Sequence, residues 1–295
     1  MIILGLTQVP NGIAAALVRD GKYLINAEVL VQNKFQEELL KFLENSEVEM
    51  TQLDYIAYDD NFEVNTEFIE APSLIINKEL AHKYSLFIVD DDAKEDDVAI
   101  DFPYLLIEDI TDETKVTLVS GLDNIKEITS LKQGSLSSVV DGLEDILDIN
   151  NIFLHAFQGD DNDIELSRLD QNKANFDFGF ILEEVKGLLD EFIDNQDNTV
   201  SEEVNAELLR NYKQDLASEA LGALYDSLVI YLVTAANELG VQNIALVGEF
   251  ADVVELRQKF TEQTESSPYE VFFPIREEEL SGSIGIAGLA YIGVQ

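Results

Sequence analysis

The first sixty residues contain three β-rich runs separated by two turn-forming segments. The runs cover residues 2–6, 13–18 and 23–31. Pro10-Asn11-Gly12 forms the first break and Asp20-Gly21 the second, and Asp-Gly between two β-rich runs favours a hairpin. Apolar residues then recur at helical spacing over residues 35–43, and residues 53–58 again have the composition of a strand. The order of three strands, a helix and a strand predicts a mixed α/β domain.

A second set of strand and helix patterns follows. Strands are predicted at residues 74–76, 85–89, 104–107 and 116–119. Apolar residues spaced for one helical face predict a helix over residues 135–147. Residues 201–239 form a long helical pattern that ends at Gly240, and strand, turn, helix, strand and helix patterns follow it. Strands followed by helices, twice along the chain, predict a duplicated fold with an N-terminal lobe (1–125) and a C-terminal lobe (126–295).

The acidic composition restricts the classes of partner. The chain has 59 acidic and 18 basic residues, a formal net charge of −41. Repulsion from so many acidic groups opposes binding to nucleic acid and to anionic membranes, so we expect neither as a partner. Such a surface serves solubility or a salty cytoplasm, or it matches a basic partner or a divalent cation. Composition alone does not choose between these alternatives.

The sequence predicts a cytoplasmic protein. It has no cysteine, so it forms no disulfide and offers no thiolate. The opening residues run directly into a strand pattern without the basic segment of a signal peptide. An uncharged apolar stretch of the length that a membrane span requires does not occur either.

Three segments near the end resemble the adenosine-binding side of the actin, Hsp70 and sugar-kinase superfamily. They are a strand and glycine turn over residues 244–252, Val271-Phe272-Phe273-Pro274, and Gly285-Ile286-Ala287-Gly288. A glycine turn between a strand and a helix can bring backbone N–H groups to a nucleotide. The resemblance implies a two-lobed, ribonuclease H-like α/β fold with duplicated mixed sheets flanked by helices.

Within that superfamily the chain resembles the O-carbamoyltransferases of antibiotic and nodulation-factor biosynthesis, relatives of the tRNA threonylcarbamoyl transferases. The segments that carry this resemblance are residues 3–6 and 10–21, Ala27-Glu28-Val29-Leu30, His82 with residues 85–92, Gly134-Ser135-Leu136, and residues 153–159. They cover most of the chain, but in the middle they match the order of elements more than specific motifs.

The resemblance implies an ATP site with Mg²⁺. Its first phosphate turn corresponds to Asn11 and Gly12, and its second to Asp90 and Asp91. Gly248, Glu249 and Gly285 correspond to the adenosine side. The implied metal ligands are His82, Asp90 and Asp92. By analogy with related folds, the partner is expected to be a second copy or another protein.

Several residues depart from the family pattern. Pro10 replaces a histidine, Lys78 replaces the second histidine of the metal pair, and Asp91 and Glu249 replace glycines beside the nucleotide. A carboxylate about 4 Å from a phosphate charge opposes it by about 4 kcal/mol at an effective dielectric constant near 20, enough to weaken binding roughly 1000-fold. A C-terminal YrdC-like domain is not expected in this chain.

These departures leave three hypotheses. The first is a degenerate carbamoyltransferase-like pseudoenzyme that acts as a non-catalytic scaffold or partner-binding subunit. The second is an ATP-dependent and metal-dependent carbamoyltransferase or kinase-like enzyme whose acidic loops hold the cation. The third is an actin-like assembling or regulatory protein. The sequence favours the first, because the departures fall in several parts of the implied site.

Overall fold

A computed structural model describes residues 1–91, 100–110, 113–121, 124–131, 134–159, 164–169, 177–196 and 201–294. The chain divides into two compact units. The first contains Met1–Asp101, Ala245–Val247 and Phe272–Gln295, and the second contains Phe102–Ile244 and Gly248–Val271. Both units are therefore discontinuous in sequence.

In chain order the elements are β1 (Ile2–Val9), β2 (Gly12–Arg19), β3 (Tyr23–Leu30), α1 (Phe35–Asn45), β4 (Tyr55–Asp59), β5 (Ser73–Ile76), α2 (Lys78–Tyr84), β6 (Val89–Asp90), β7 (Tyr104–Ile110), β8 (Glu113–Gly121), β9 (Asn124–Leu131), α3 (Leu136–Leu147), α4 (Ile152–Ala156), α5 (Phe180–Asp194), α6 (Glu202–Leu239), β10 (Asn243–Gly248), α7 (Val254–Thr264), β11 (Glu270–Phe272) and α8 (Glu278–Val294). The opening order of three strands, a helix and a strand is confirmed. The boundary predicted at 125/126 falls within β9.

The first sheet has the strand order β5-β4-β1-β2-β3-β6. β1, β2 and β3 are antiparallel neighbours, whereas β4 runs parallel to β1. Alternate residues of β1 enter two different cores, with Leu4 and Leu6 on one side and Ile3 on the other. Because both faces of the sheet are covered, seven successive residues of β2 are buried and the strand is apolar throughout its buried part.

Helix α8 packs on one face of this sheet, and a glycine makes the close approach possible. A Cβ atom at Gly5 would lie 2.1 Å from the carbonyl oxygen of Ser283. Ala287 and Ala290 of α8 are fully buried in the same core. The C-terminal segment therefore completes the first unit.

The second sheet has the order β11-β10-β7-β8-β9, and β7, β8 and β9 are antiparallel neighbours. The run β10-β7-β8-β9 repeats the run β4-β1-β2-β3 of the first sheet, position by position. The predicted duplication is thus visible in the strand order itself.

Helix α6 is the longest element, with 38 residues. The Ser201 hydroxyl caps its first turn by accepting a hydrogen bond from the Val204 amide, and Gly240 ends it in the left-handed conformation. Its length and apolar composition are sufficient to cross a membrane, but 67% of its apolar window is buried inside the protein. A core helix has these same properties, and the burial of residues from Leu216 onward agrees with that role.

Candidate functional site

A buried polar cluster lies where β7 ends in the second unit. The Asp109 carboxylate accepts one hydrogen bond from the Thr114 hydroxyl at 2.6 Å and another from the Ser137 hydroxyl at 2.7 Å. The Thr114 oxygen in turn accepts the Leu136 backbone N–H at 2.9 Å, at the start of α3. Asp109 is 2% exposed and Thr114 is fully buried. These three side chains, Asp109, Thr114 and Ser137, are called the Asp109 cluster.

Gly248 ends β10 directly beside this cluster. Its backbone has φ 97° and ψ −174°, a conformation that residues with a Cβ atom rarely adopt. A Cβ atom here would lie 2.2 Å from the Asp109 carbonyl oxygen. The next residues, Glu249–Asp252, form a short 3₁₀ turn before α7. The side chain of Glu249 lies outside the described part of the structure.

A second buried polar pair lies in the first unit, where β1 and β4 end. The Thr7 hydroxyl donates to the Asp59 carboxylate at 2.5 Å, and the same carboxylate accepts the Asn61 backbone N–H at 2.9 Å. Thr7 and Asp59 are 1% and 2% exposed. Buried carboxylates require such partners, because desolvating an unpaired charge is costly. We call these two residues the Thr7–Asp59 pair.

The start of α8 lies next to this pair. A Cβ atom at Gly282 would lie 3.3 Å from Cε1 of His82 and 3.4 Å from the Thr7 methyl carbon. Nδ1 of His82 lies 3.0 Å from the Ser281 hydroxyl. Asp59, Thr7, Gly282, His82 and Ser281 thus form a continuous group within the first unit.

The predicted first phosphate turn joins β1 to β2. The Asn11 amide donates to the Glu279 carboxylate at 2.9 Å, which places an acidic group of α8 against this turn. A Cβ atom at Gly12 would lie 2.2 Å from the Leu30 carbonyl oxygen. Gly12 is therefore required by the close approach of β3, whatever its role toward a ligand.

The predicted second phosphate residues are held by arginines. Both carboxylate oxygens of Asp90 pair with the Arg276 guanidinium, at 2.6 and 3.2 Å, and Asp91 pairs with Arg19. Asp90, Asp91 and Arg276, together with Leu24 and Ile25, line an open depression of about 430 Å³ in the first unit. The arginines neutralise these two carboxylates.

The predicted metal ligands are not all described. His82 lies against Ser281 and Asp90 against Arg276, while Asp92 falls outside the described residues. Within the described ranges, no three histidine, aspartate or glutamate side chains form a group that could hold a metal ion. The metal site at His82, Asp90 and Asp92 therefore stays a prediction.

Gly285, predicted beside the adenosine, lies in the contact between α8 and α2. A Cβ atom at residue 285 would lie 1.7 Å from the Ala81 carbonyl oxygen. Helix packing accounts for this glycine without a ligand, and its nucleotide role also stays a prediction.

Sequence reasoning missed the two buried polar groups. Thr7 and Asp109 each stand near the carboxyl end of an otherwise apolar strand pattern, as does Asp59. Ligands of α/β proteins usually bind at the carboxyl ends of the strands, so polar residues at these positions are candidates for a site. That pattern can be read in the sequence, but the pairing of the residues depends on tertiary contacts.

Comparisons with known proteins identify the fold. No protein-family model matches the chain, and no curated protein sequence does. One similar solved structure is component A of (R)-2-hydroxyglutaryl-CoA dehydratase from Acidaminococcus fermentans, at 14% identity and a TM-score of 0.53, covering 99% of this chain and 98% of that one. Another is the activator of 2-hydroxyisocaproyl-CoA dehydratase from Clostridium difficile with bound ADPNP, at 15% identity and a TM-score of 0.52, covering 99% and 95%.

These structures confirm the predicted fold class, a duplicated α/β fold like that of actin, Hsp70 and the sugar kinases. The narrower resemblance to O-carbamoyltransferases is wrong, because the similar structures are activator components of dehydratases. The segments behind that resemblance include strands β1 and β2 and the turn that joins them. The packing of the first unit itself requires glycine at Gly5 and Gly12, so these features do not distinguish one family with this fold from another.

Proposed function

We propose that this protein binds an adenine nucleotide as its Mg²⁺ complex and that the nucleotide controls its interaction with a protein partner. The observation that carries the proposal is the Gly248 turn, which leaves β10 in a glycine-dependent conformation directly beside the buried Asp109 cluster. Support also comes from the fold, since one structure that shares it contains ADPNP and is an activator of another protein.

Gly248 and Glu249 are the proposed contacts of the nucleotide in the second unit, while the phosphate turn at Asn11 and Gly12 stays a prediction from the sequence. A glycine at a strand end lets a ligand approach the backbone N–H groups closely. Mg²⁺ is usually held by one or two carboxylates together with phosphate oxygens and water. Asp109 is the proposed carboxylate for that role, because it is buried directly beside the Gly248 turn.

The charge of the protein makes the cation essential to this proposal. A net charge of −41 opposes a free nucleotide anion, and Mg²⁺ removes part of the repulsion. The Glu279 carboxylate, which accepts a hydrogen bond from Asn11, adds to the repulsion at the predicted phosphate turn. Weak, Mg²⁺-dependent binding suits a regulatory component whose nucleotide exchanges readily.

The deciding experiment is calorimetric titration of ATP into the purified protein with and without Mg²⁺ at about 5 mM, well above the need of a Mg–nucleotide complex. Binding in the micromolar range that requires Mg²⁺ is expected. Gly248→Ala is expected to weaken this binding, whereas Gly240→Ala, at a helix end with open space around it, leaves it unchanged. Circular dichroism confirms that both variants are folded. The absence of heat with and without Mg²⁺ would contradict the proposal and favour a scaffold that binds no nucleotide.

A further inference from the structure

Helix α4 and the residue that follows it, in the second unit, expose three large apolar side chains within five residues. Phe153, Leu154 and Phe157 are 40%, 55% and 85% exposed. We call these three side chains the α4 apolar face. Soluble proteins expose single apolar side chains routinely, but a group of this size indicates an interaction surface.

The α4 apolar face is fixed in place by the neighbouring helices. The Ile152 amide donates to the Glu144 carboxylate of α3 at 2.8 Å, and the fully buried Ile152 side chain anchors the first turn. At the other end, Gln214 of α6 donates to Gln158 at 2.7 Å. A surface held at both ends binds with a smaller loss of conformational entropy than a flexible segment.

The surroundings of this face are strongly acidic. Helix α3, whose Glu144 accepts the Ile152 amide of α4, carries an exposed acidic stripe. The stripe consists of Asp141, Asp145 and Asp148, which lie on one face because they recur at i, i+4 and i+7. Residues 134–159, 177–196 and 201–215, which contain α3 to α5 and the exposed first part of α6, include 14 acidic and 3 basic side chains. An apolar face and an acidic stripe on two neighbouring helices complement a helix with one apolar face and one basic face.

We infer that the α4 apolar face and the α3 acidic stripe form a docking surface for a cationic amphipathic helix of another protein. A second copy of this chain fits less well, because it would bring two such acidic regions together. This inference gives the chemistry of the partner in the proposed function and rests on that function's need for a partner.

The test uses the full-length protein and a fluorescein-labelled synthetic peptide of leucine and lysine that forms a cationic amphipathic helix. Binding is followed by fluorescence anisotropy without nucleotide, so its failure is distinct from a failure of ATP binding. The double variant Leu154→Ser/Phe157→Ser is expected to weaken binding by about tenfold or more, since central apolar anchors dominate interface energies. Ile75→Ser removes a side chain that is 68% exposed in the first unit and is expected to change nothing.

A charge-matched pair of variants tests the acidic stripe. Asp141→Asn/Asp145→Asn/Asp148→Asn is expected to weaken binding several-fold and to reduce its salt dependence. Glu63→Gln/Glu67→Gln/Glu70→Gln removes the same charge from exposed positions of the first unit and has a smaller effect. Equal binding by the wild type and both α4 and α3 variants would show general attraction to an acidic protein and overturn the inference. A wild-type protein that does not bind the peptide, or a dimer in sedimentation that Leu154→Ser/Phe157→Ser abolishes, would also overturn it.

Discussion

The carbonyl oxygen of Asp109 lies 2.2 Å from the position that a Cβ atom would take at residue 248. Two adjacent strands of the second sheet, β7 and β10, therefore meet in a space that excludes every residue except glycine at this position. The same Asp109 holds Thr114 and Ser137 through its carboxylate. A single residue thus joins the turn after β10 to the start of α3.

Gly248→Ala is expected to lower the free energy of unfolding by about 2–4 kcal/mol, because strain at a glycine-only conformation adds to the steric conflict with Asp109. Gly240→Ala is the matched control, since Gly240 has φ 68° but no atom within 4 Å of a Cβ atom there. Gly240→Ala is expected to lower the free energy of unfolding by about 1–2 kcal/mol, the cost of the left-handed conformation alone. Urea unfolding of the two variants measures the difference. Equal losses would contradict the role of the Asp109 contact.

Thr114→Val is expected to lower the free energy of unfolding by about 2–4 kcal/mol, because it leaves the buried Leu136 amide without its acceptor and Asp109 without one donor. Ser137→Ala removes one donor to Asp109 and leaves no amide unpaired, so its expected loss is smaller, about 1–2 kcal/mol. Chemical denaturation measures both. A larger loss for Ser137→Ala would mean that the hydrogen bond from the Leu136 amide to Thr114 contributes little to stability.

Local features of this fold could be predicted from the sequence. The Asp20-Gly21 turn, the glycine end of α6 at Gly240 and the one-sided apolar pattern of α3 each depend on residues within a few positions of one another. The strand predicted at 85–89 is mostly a 3₁₀ turn, with β6 beginning only at Val89. Short apolar runs of this kind fit either structure, because they show no distinct period.

The polar groups of the candidate site could not be assembled in the same way. Thr7 and Asp59 are 52 residues apart, and their contact depends on the parallel pairing of β1 with β4. Arg276 meets Asp90 across 186 residues, because the C-terminal segment returns to the first unit. Composition predicted acidic loops, but only tertiary structure shows that arginines neutralise two of their carboxylates.

Arg168→Met is expected to lower the free energy of unfolding by about 3 kcal/mol, because it leaves the buried Glu219 carboxylate without its cation. Burial opposes the charge of Arg168, but hydrogen bonds with Glu219 and Asp226 outweigh burial and raise the pKa of Arg168. Lys41→Met, which removes the exposed pairs with Glu37 and Glu38, is the control and is expected to leave the unfolding midpoint unchanged. Similar midpoints for the two variants would contradict the importance of the buried pair.

Stability is expected to fall above about pH 10, the ordinary pKa of tyrosine. Burial raises the pKa of Tyr225, and the nearby Glu255 carboxylate raises it further. The folded state therefore keeps a proton that the unfolded state loses, so stability declines from the unfolded pKa upward. Tyr225→Phe is expected to make this decline shallower in urea unfolding between about pH 9 and 11. An unchanged slope would mean that Tyr225 ionises equally well in both states.

The phosphate turn predicted at Asn11 is tested by Glu279→Gln, which is expected to raise the affinity for Mg²⁺–ATP by roughly 30-fold, because a unit charge about 8 Å from a phosphate opposes it by about 2 kcal/mol at an effective dielectric constant of about 20. The amide oxygen of the glutamine can still accept the Asn11 hydrogen bond, so the turn keeps its conformation. Glu277→Gln removes the same charge from an exposed position two residues away and separates the local effect from the change in net charge. Calorimetric titration of the three proteins compares the affinities. If both variants gain equally, the carboxylate at the Asn11 turn has no specific role, and the nucleotide phosphates are bound elsewhere.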